Sequence, residues 1–439
     1  MINHIATRYS QIDRNKNTLF FHLNSRYRLK RLRKYKNLVI VTEKSTFIKT
    51  TQLSHLVIKV RNIHAAYWGL ICHYRESFKI PVFGITGTSG KTTTKEMISQ
   101  VLTMEGLNVQ STYRSNNGPS RDLQYLLEIT DKTDASVIEM GLAKPGDLQK
   151  TCRVFQPNIR ILLNIGVYHL EGCVTMENYI KAKAEILDRI KPEDILILNA
   201  DCSNIKKIDV SHVTQKIYIG INEKADFMAK NIQYTDIGIS FSLVHKTVEY
   251  PAFIPGYGRH NVYNALASIA AVYQIGMDIE KSINKLSKFR HLDSHLEPFS
   301  GINGCSIIDD TWNNTPPAME AALNVLKEIS NGKKNIAVLG YFPRLGESNT
   351  AKQQYEYMAT RVMETGIDKL IITDEKSIEI GKHAMKLGMN HDDIHYCFTD
   401  QDVSRTVTHL LTPETIVLLK FSRIRRDSLF NTLKETLIS

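Results

Sequence analysis

Two kinds of apolar pattern alternate along this chain. Short, nearly unbroken apolar runs occur at 135–140, 159–165, 195–199 and 216–220. Between them, apolar residues recur every three or four positions. The runs predict strands buried on both faces, and the intervening stretches predict amphipathic helices. Three further runs, around 228–232, 237–243 and 248–253, have no helical stretch between them and predict a small antiparallel patch. A helix is predicted from His260 through Ala265, Leu266, Ile269 and Ala270. From about 294 the alternation restarts, with strands at 305–309, 335–340, 368–373, 393–397 and 415–420. The fold class is therefore α/β: a mainly parallel sheet, then a second, Rossmann-like α/β unit.

Residues 1–80 carry a weaker pattern. Residues 38–41 predict a strand and residues 60–78 a helix. Arg26-Tyr-Arg-Leu-Lys-Arg-Leu-Arg-Lys-Tyr-Lys36 is densely basic, with apolar residues at 27, 29, 32 and 35. A solvated basic helix face is the favoured reading, over a grip on nucleic acid or a membrane, because Gly-rich and aromatic nucleic-acid motifs are missing.

The stretch Ile80-Pro-Val-Phe-Gly-Ile-Thr-Gly-Thr-Ser-Gly-Lys-Thr-Thr-Thr94 changes the picture from fold to chemistry. It reads as a buried strand, a glycine-bearing turn and a helix start. Backbone N–H groups of Gly87, Thr88, Ser89, Gly90 and Thr93 can face an anion, which the helix dipole favours. Lys91 can reach outer phosphates, and the Thr92 hydroxyl can join a Mg²⁺ shell. Ile85 stands where the longer phosphate-loop pattern has its first glycine, so the match is to the shorter T-G-x-x-G-K-T-T form. An ATP- or GTP-using protein is predicted, with 81–293 as the central P-loop domain and 294–439 as the C-terminal one.

Composition narrows this only a little. The 439 residues are 42% hydrophobic and 23% charged, ordinary values for a globular protein. The net charge of +11 suits acidic ligands such as nucleotides without choosing among them. Six scattered cysteines form no C-x-x-C pair, so neither a disulfide framework nor a zinc site is predicted, and a cytoplasmic protein is expected. No run predicts a transmembrane segment or a signal peptide.

Other residues carry possible chemistry, each with a plainer alternative. Glu139 ends a strand beside the P-loop strand; it can bind Mg²⁺ or face solvent. His169, in Asn164-Ile-Gly-Val-Tyr-His, and Lys183, in Lys181-Ala-Lys-Ala-Glu185, read alone as a loop histidine and a solvated helix lysine. Asn261 and Asn264 share a helix face and suit an adenine edge, while Asn261 alone suits a helix cap. Asp309 and Asp310 precede Pro316-Pro317 and can hold ribose hydroxyls or form a turn. Lys420 and Arg423, at the end of the last strand, can grip a phosphate or a carboxylate, or merely mark a charged strand exit.

Taken in order, these pieces resemble the Mur ligase family of ATP-dependent amide-bond ligases. The nearest likeness is to the branch that adds D-alanyl-D-alanine to a UDP-N-acetylmuramoyl tripeptide. The matching stretches are Ile85 to Met97, Asn116-Asn117, Glu139-Met-Gly, Asn164 to Gly172, Ala182-Lys-Ala-Glu185, Leu198-Asn-Ala-Asp201, Gly258 to Ala265 and Ile308 to Pro316. The resemblance implies that Lys91 and the turn hold ATP phosphates, and that Thr92 and Glu139 bind one Mg²⁺. It implies that Lys183 is carbamylated and holds a second Mg²⁺ with His169. Asn264, with Asn261, would contact adenine and Asp310 the ribose, while Asn116 and Asn117 would lie near the acceptor. Lys420 and Arg423 would meet phosphate or substrate. The implied reaction joins a carboxylate to an amine through an acyl phosphate, as in peptidoglycan precursor synthesis, with a UDP-linked muropeptide among the candidate acceptors. Nucleic acid is not an expected partner.

The chain departs from the family's pattern in four places. His295, in Ser294-His-Leu-Glu297, stands where an Arg that touches the γ-phosphate is usual. Gly340-Tyr-Phe-Pro-Arg-Leu-Gly346 replaces Gly-Asp-Met-x-Glu-Leu-Gly, and Lys420-Phe-Ser-Arg423 replaces Lys-Gly-Ser-Arg. The first 80 residues lack the Asp-Ser-Arg and Asp-Gly-His-x-Phe landmarks of UDP-sugar recognition. Two other readings therefore stay open at this point: a peptide or polyglutamate ligase outside wall synthesis, and a nucleotide-binding regulator that has lost catalysis.

Overall fold

The computed structural model describes all residues except 1, 3, 25–31, 33, 45–55, 169, 236, 291–292, 331, 347, 425 and 438–439. Most of the basic run at 26–36, and His169, lie outside the described residues. The described chain forms two compact units, Met1–Lys79 and Ile80–Ser439.

The first unit contains more regular structure than its sequence pattern predicts. Four parallel strands, β1 (His4–Ala6), β2 (Thr18–Phe21), β3 (Leu38–Thr42) and β4 (Leu56–Lys59), pair in sequence order. Ala6, Phe20, Leu32, Leu38 and Ile40 make its core. Helix α1 (Ile63–Glu76) is capped by Asn62, whose side chain accepts from the Ala65 amide. Of these strands only β3 is predicted; β1 and β2 are three and four residues long, too short to show a period.

The second unit holds two sheets. The larger has nine strands in the order β13-β12-β11-β10-β9-β8-β5-β7-β6. Its parallel part comprises β5 (Val82–Thr86), β6 (Val109–Ser111), β7 (Ala135–Glu139), β8 (Ile159–Leu162), β9 (Ile195–Asn199) and β10 (Gln215–Gly220). β11 (Phe227–Tyr234) pairs parallel to β10, then β12 (Gly238–His245) and β13 (Val248–Pro255) complete the antiparallel patch. All five residues of β5 are buried, as a central strand covered on both faces requires. Helix α2 (Lys91–Met104) packs Met97, Ile98, Val101 and Leu102 into the same core as Val262, Leu266 and Ile269 of a second helix, Arg259–Tyr273.

The smaller sheet has six strands in the order β14-β15-β19-β16-β17-β18. Only β14 (Glu297–Ser300) is antiparallel to its neighbour β15 (Ser306–Asp309); β16 (Lys334–Leu339), β17 (Lys369–Ile372), β18 (Ile394–Tyr396) and β19 (Thr415–Lys420) continue in parallel. Strand order reverses around β5 in the large sheet and around β15 and β19 in the small one. Crevices at such reversals, beyond the carboxyl ends of the strands, are where doubly wound sheets bind ligands. None of the described helices is long and apolar enough to cross a membrane.

Candidate active site

The turn after β5 is held by one side chain from the neighbouring strand. Asn164, just past β8, accepts through Oδ1 from the amides of Thr88 and Ser89, both at 3.0 Å, and donates through Nδ2 to the Ser89 carbonyl at 3.1 Å. Gly90 closes the turn with φ of 81°, a conformation that favours glycine, and a Cβ there would sit 2.4 Å from Asn264 Oδ1. The α2 N-terminus is thereby fixed, with Lys91 as its first residue.

Lys91 folds back over the turn, donating to the carbonyls of Gly87 and Thr88, both at 3.1 Å. Burial pulls its ammonium below the usual lysine range; Glu139 opposes that shift and Arg344 adds to it. Glu139, at the end of β7, accepts from the Thr92 hydroxyl at 2.9 Å and from the Asn117 amide at 2.5 Å. The buried Glu139 carboxylate is thus the point where the phosphate-loop helix meets the loop before α-helical residues 122–127.

Lys183 is not a solvated helix lysine. It sits near the end of the helix Met176–Ala184 with only 1% of its side chain exposed. Its Nζ donates to Thr86 Oγ1 at 3.1 Å and to the Gly87 carbonyl at 2.9 Å, and lies 5.5 Å from the Tyr179 ring centre. Burial, reinforced by the charge of Lys91, pushes its pKa well below the lysine range. Burial thus favours the neutral amine, the form that can act as a nucleophile. His169, expected beside it, is outside the described residues.

The opposite wall comes from the small sheet. Lys420, at the end of β19, is buried and pairs with Asp310 Oδ2 at 2.7 Å, while also donating to the carbonyls of Asp310 and Asn313. His295 stacks on Trp312, with ring centres 5.9 Å apart, and its Nδ1 lies 2.8 Å from the Asp293 carbonyl. Burial lowers its pKa, and Lys420 lowers it further. Asp309 is turned into its own loop, accepting from the Thr311 amide and hydroxyl.

Between these walls lies a cavity of about 300 Å³. Its lining includes Thr88, Ser89, Gly90, Lys91, Thr92, Thr93, Asn117, Glu139, Lys183, Asn261, His295, Asp310 and Lys420. Gly87, Asn116, Asn264 and Arg423 do not line it. Asn264 instead donates to Asn261 Oδ1 and accepts from Thr94, directly beneath Gly90. Arg423 pairs with Asp427 and stacks on Phe430, 3.9 Å from the ring centre. Two residues of the site carry no clear signal in the sequence. Asn164 appears there only as part of a motif, and its clamp on the turn follows from the β5–β8 pairing. Arg344 lines the cavity from the loop after β16, in a segment read only as a departure from pattern.

This arrangement has known counterparts. Residues 85–272 match the Mur ligase middle domain, and residues 296–423 match the Mur ligase, glutamate ligase domain. The UDP-N-acetylmuramoyl-tripeptide–D-alanyl-D-alanine ligase of Bacillus subtilis is 27% identical over 370 residues, covering 84% of this chain and 79% of that protein. A crystal structure of MurF from Acinetobacter baumannii superposes with a TM-score of 0.82 at 23% identity, covering 99% of this chain and 94% of that one. The MurF ligase from Thermotoga maritima, solved in complex with ADP, gives 0.81 at 20% identity, covering 99% and 97%. With both domain matches in order, and a fold shared along nearly its whole length, this chain belongs to the Mur ligase family.

Proposed function

We propose that this protein is an ATP-dependent carbon–nitrogen ligase of the MurF type, joining a carboxylate to an amine in peptidoglycan precursor synthesis. The observation that carries the reading is the convergence on one cavity of the Lys91 turn, the Thr92–Glu139 pair and the buried Lys183, opposite Lys420 and Asp310. The likeness to a D-alanyl-D-alanine-adding relative over 84% of the chain favours this over a polyglutamate ligase. The assembled phosphate-binding wall argues against a regulator that has lost catalysis. On this reading 81–293 binds the nucleotide, 294–439 closes over it, and 1–80 serves the acceptor; the reaction runs in the cytoplasm, where ATP is made.

The donor set fits Mg²⁺. A hydroxyl and a carboxylate oxygen 2.9 Å apart, beside a phosphate-binding turn, are hard oxygen ligands that phosphate oxygens and water complete. Thr92 and Glu139 would hold that ion. Carbamylated Lys183 would hold a second with His169, since a neutral amine can take up CO₂ and become an anionic oxygen ligand. When bound, Mg²⁺ neutralises charge on the phosphates and makes the γ-phosphorus more open to attack.

The chain's own groups do the rest. The turn amides held by Asn164 orient the phosphates, and Lys91 leaves its two carbonyls to meet the outer ones. On this reading Asn261, on the cavity wall, meets the adenine with Asn264 behind it, and Asp310 takes the ribose. The acceptor carboxylate, steered by Asn116 and Asn117, attacks the γ-phosphorus; the bond to ADP breaks and an acyl phosphate forms. The amine then attacks the acyl carbon, phosphate departs and the nitrogen loses a proton. Exclusion of water by the two walls preserves the acyl phosphate between these steps.

The test is ADP release by the purified protein. Release only when UDP-N-acetylmuramoyl tripeptide and D-alanyl-D-alanine are both present supports the reading. Release with free amino acids or glutamyl peptides instead would move it to another substrate class, and nucleotide binding without turnover in any mixture would leave it a binding protein.

A further inference from the structure

We infer that Arg344 contacts the terminal phosphate of the bound nucleotide, supplying the cation that His295 does not; the inference rests on the ATP-ligase reading above. Among the described residues lining the cavity, the lysines are already engaged. Lys91 and Lys183 donate to carbonyls of the turn, and Lys420 is neutralised by Asp310. His295 is aligned on Trp312 and the Asp293 carbonyl, and burial disfavours its charged form. Arg344 is different: its guanidinium has no carboxylate or carbonyl partner among the described residues, it is exposed, and it borders the cavity. It is close enough to Lys91 for the two charges to repel. Arg344 is thus an exposed guanidinium on the cavity lining, near Lys91 and without a protein counter-ion among the described residues, which leaves it open to an anion that arrives.

The backbone around Arg344 is built to hold it there. Its φ of 65° is left-handed, unusual for a residue with a Cβ. The loop is pinned on both sides: Phe342 and Leu345 are buried, Phe342 stacks on Tyr355, and the Phe342 amide donates to the Tyr355 hydroxyl at 3.1 Å. The Arg344 carbonyl accepts from the Glu171 amide at 3.4 Å, joining this loop to the segment that follows β8. Anchoring at its neighbours fixes the backbone from which the Arg344 side chain leaves, and so keeps it at the cavity. Guanidinium also suits the task, because its planar fork meets two phosphate oxygens at once.

The test compares Arg344→Gly, Arg344→Lys and the parent protein. Glycine removes the guanidinium while fitting the left-handed backbone, so the variant should melt no lower than the parent. Calorimetric binding of ADP and of a non-hydrolysable ATP analogue, without acceptor, isolates the terminal phosphate. Arg344→Gly should weaken the analogue about tenfold and leave ADP unchanged, with Arg344→Lys between the two. Equal weakening of both nucleotides, or of neither, would overturn the inference. A raised KM for the acceptor with unchanged analogue binding would overturn it too, assigning Arg344 to a substrate carboxylate. If the parent shows no ligation with any acceptor, the ligase reading fails while the binding comparison still decides on Arg344.

Discussion

On the β5–β7–β8 side of the cavity, Lys91, Glu139, Lys183 and the turn itself are each held by two or more protein hydrogen bonds. On the side of the small sheet, one cation is locked to a carboxylate, burial disfavours the charged form of one imidazole, and one arginine has no counter-ion among the described residues. The first wall is preorganised for a ligand feature that every nucleoside triphosphate shares. The second carries its charges singly around the same space. Geometry that must be fixed before the ligand arrives is thus concentrated where the sequence is most regular, and charge that can be supplied from more than one position lies where it is not.

The comparison can be broken most directly at Lys91. Lys91→Ala should lower kcat about a thousandfold, because the cation that meets the transferring group is lost; steady-state ADP release measures it, and a loss below tenfold would place the essential charge on the other wall. Lys183→Ala should cost about a hundredfold, with partial recovery on adding short carboxylates such as formate; parental rates would remove the carbamate from the scheme. Asp310→Ala should destabilise the fold by about 3 kcal/mol, since buried Lys420 loses its counter-charge, and chemical denaturation reads this. Asn164→Ala should cost about 2 kcal/mol through unpaired turn groups and raise the KM for ATP more than that for the acceptor.

The smallest effect concerns His295. Its folded pKa lies below the ordinary histidine value, so in acid the unfolded chain binds the proton more readily than the native one. Stability from this group is therefore present above the ordinary histidine range and is lost as pH falls through it. His295→Gln should flatten the decline in melting temperature between about pH 7 and 5. An unchanged slope would show that the imidazole is free to charge, and would weaken the contrast with Arg344.

The legible parts of this molecule are those where one physical requirement dominates a continuous stretch. β5, β7, β8, β9, β16 and β19 are buried on both faces and read as apolar runs. The Lys91 turn needs glycine and lysine at fixed spacing. Strand β14, with alternate burial over four residues, and β6, with three residues, escaped notice because neither is long enough to show a period. Lys183 is a sharper case. As sequence it is one lysine among several on a helix, and only the packing of Met176–Ala184 against the turn gives it a buried environment. Arg344 is illegible for the opposite reason: its lack of a counter-ion among the described residues appears only once the chain is folded.

The clamp at Asn164 bears on how this sequence can drift. Its side chain receives two amide hydrogens and gives one of its own, although it does not itself line the cavity. Aspartate would keep the acceptors, lose the donor and set a negative charge beside incoming phosphates; leucine would fill the space and strip the Ser89 amide and carbonyl of this partner, while the Thr88 amide kept the backbone carbonyl of residue 164. Serine is too short to span both jobs. Among descendants of this chain, position 164 should therefore vary as little as the residues that touch ATP, and a survey that ranked residues by invariance alone would mistake a hinge pin for a catalyst.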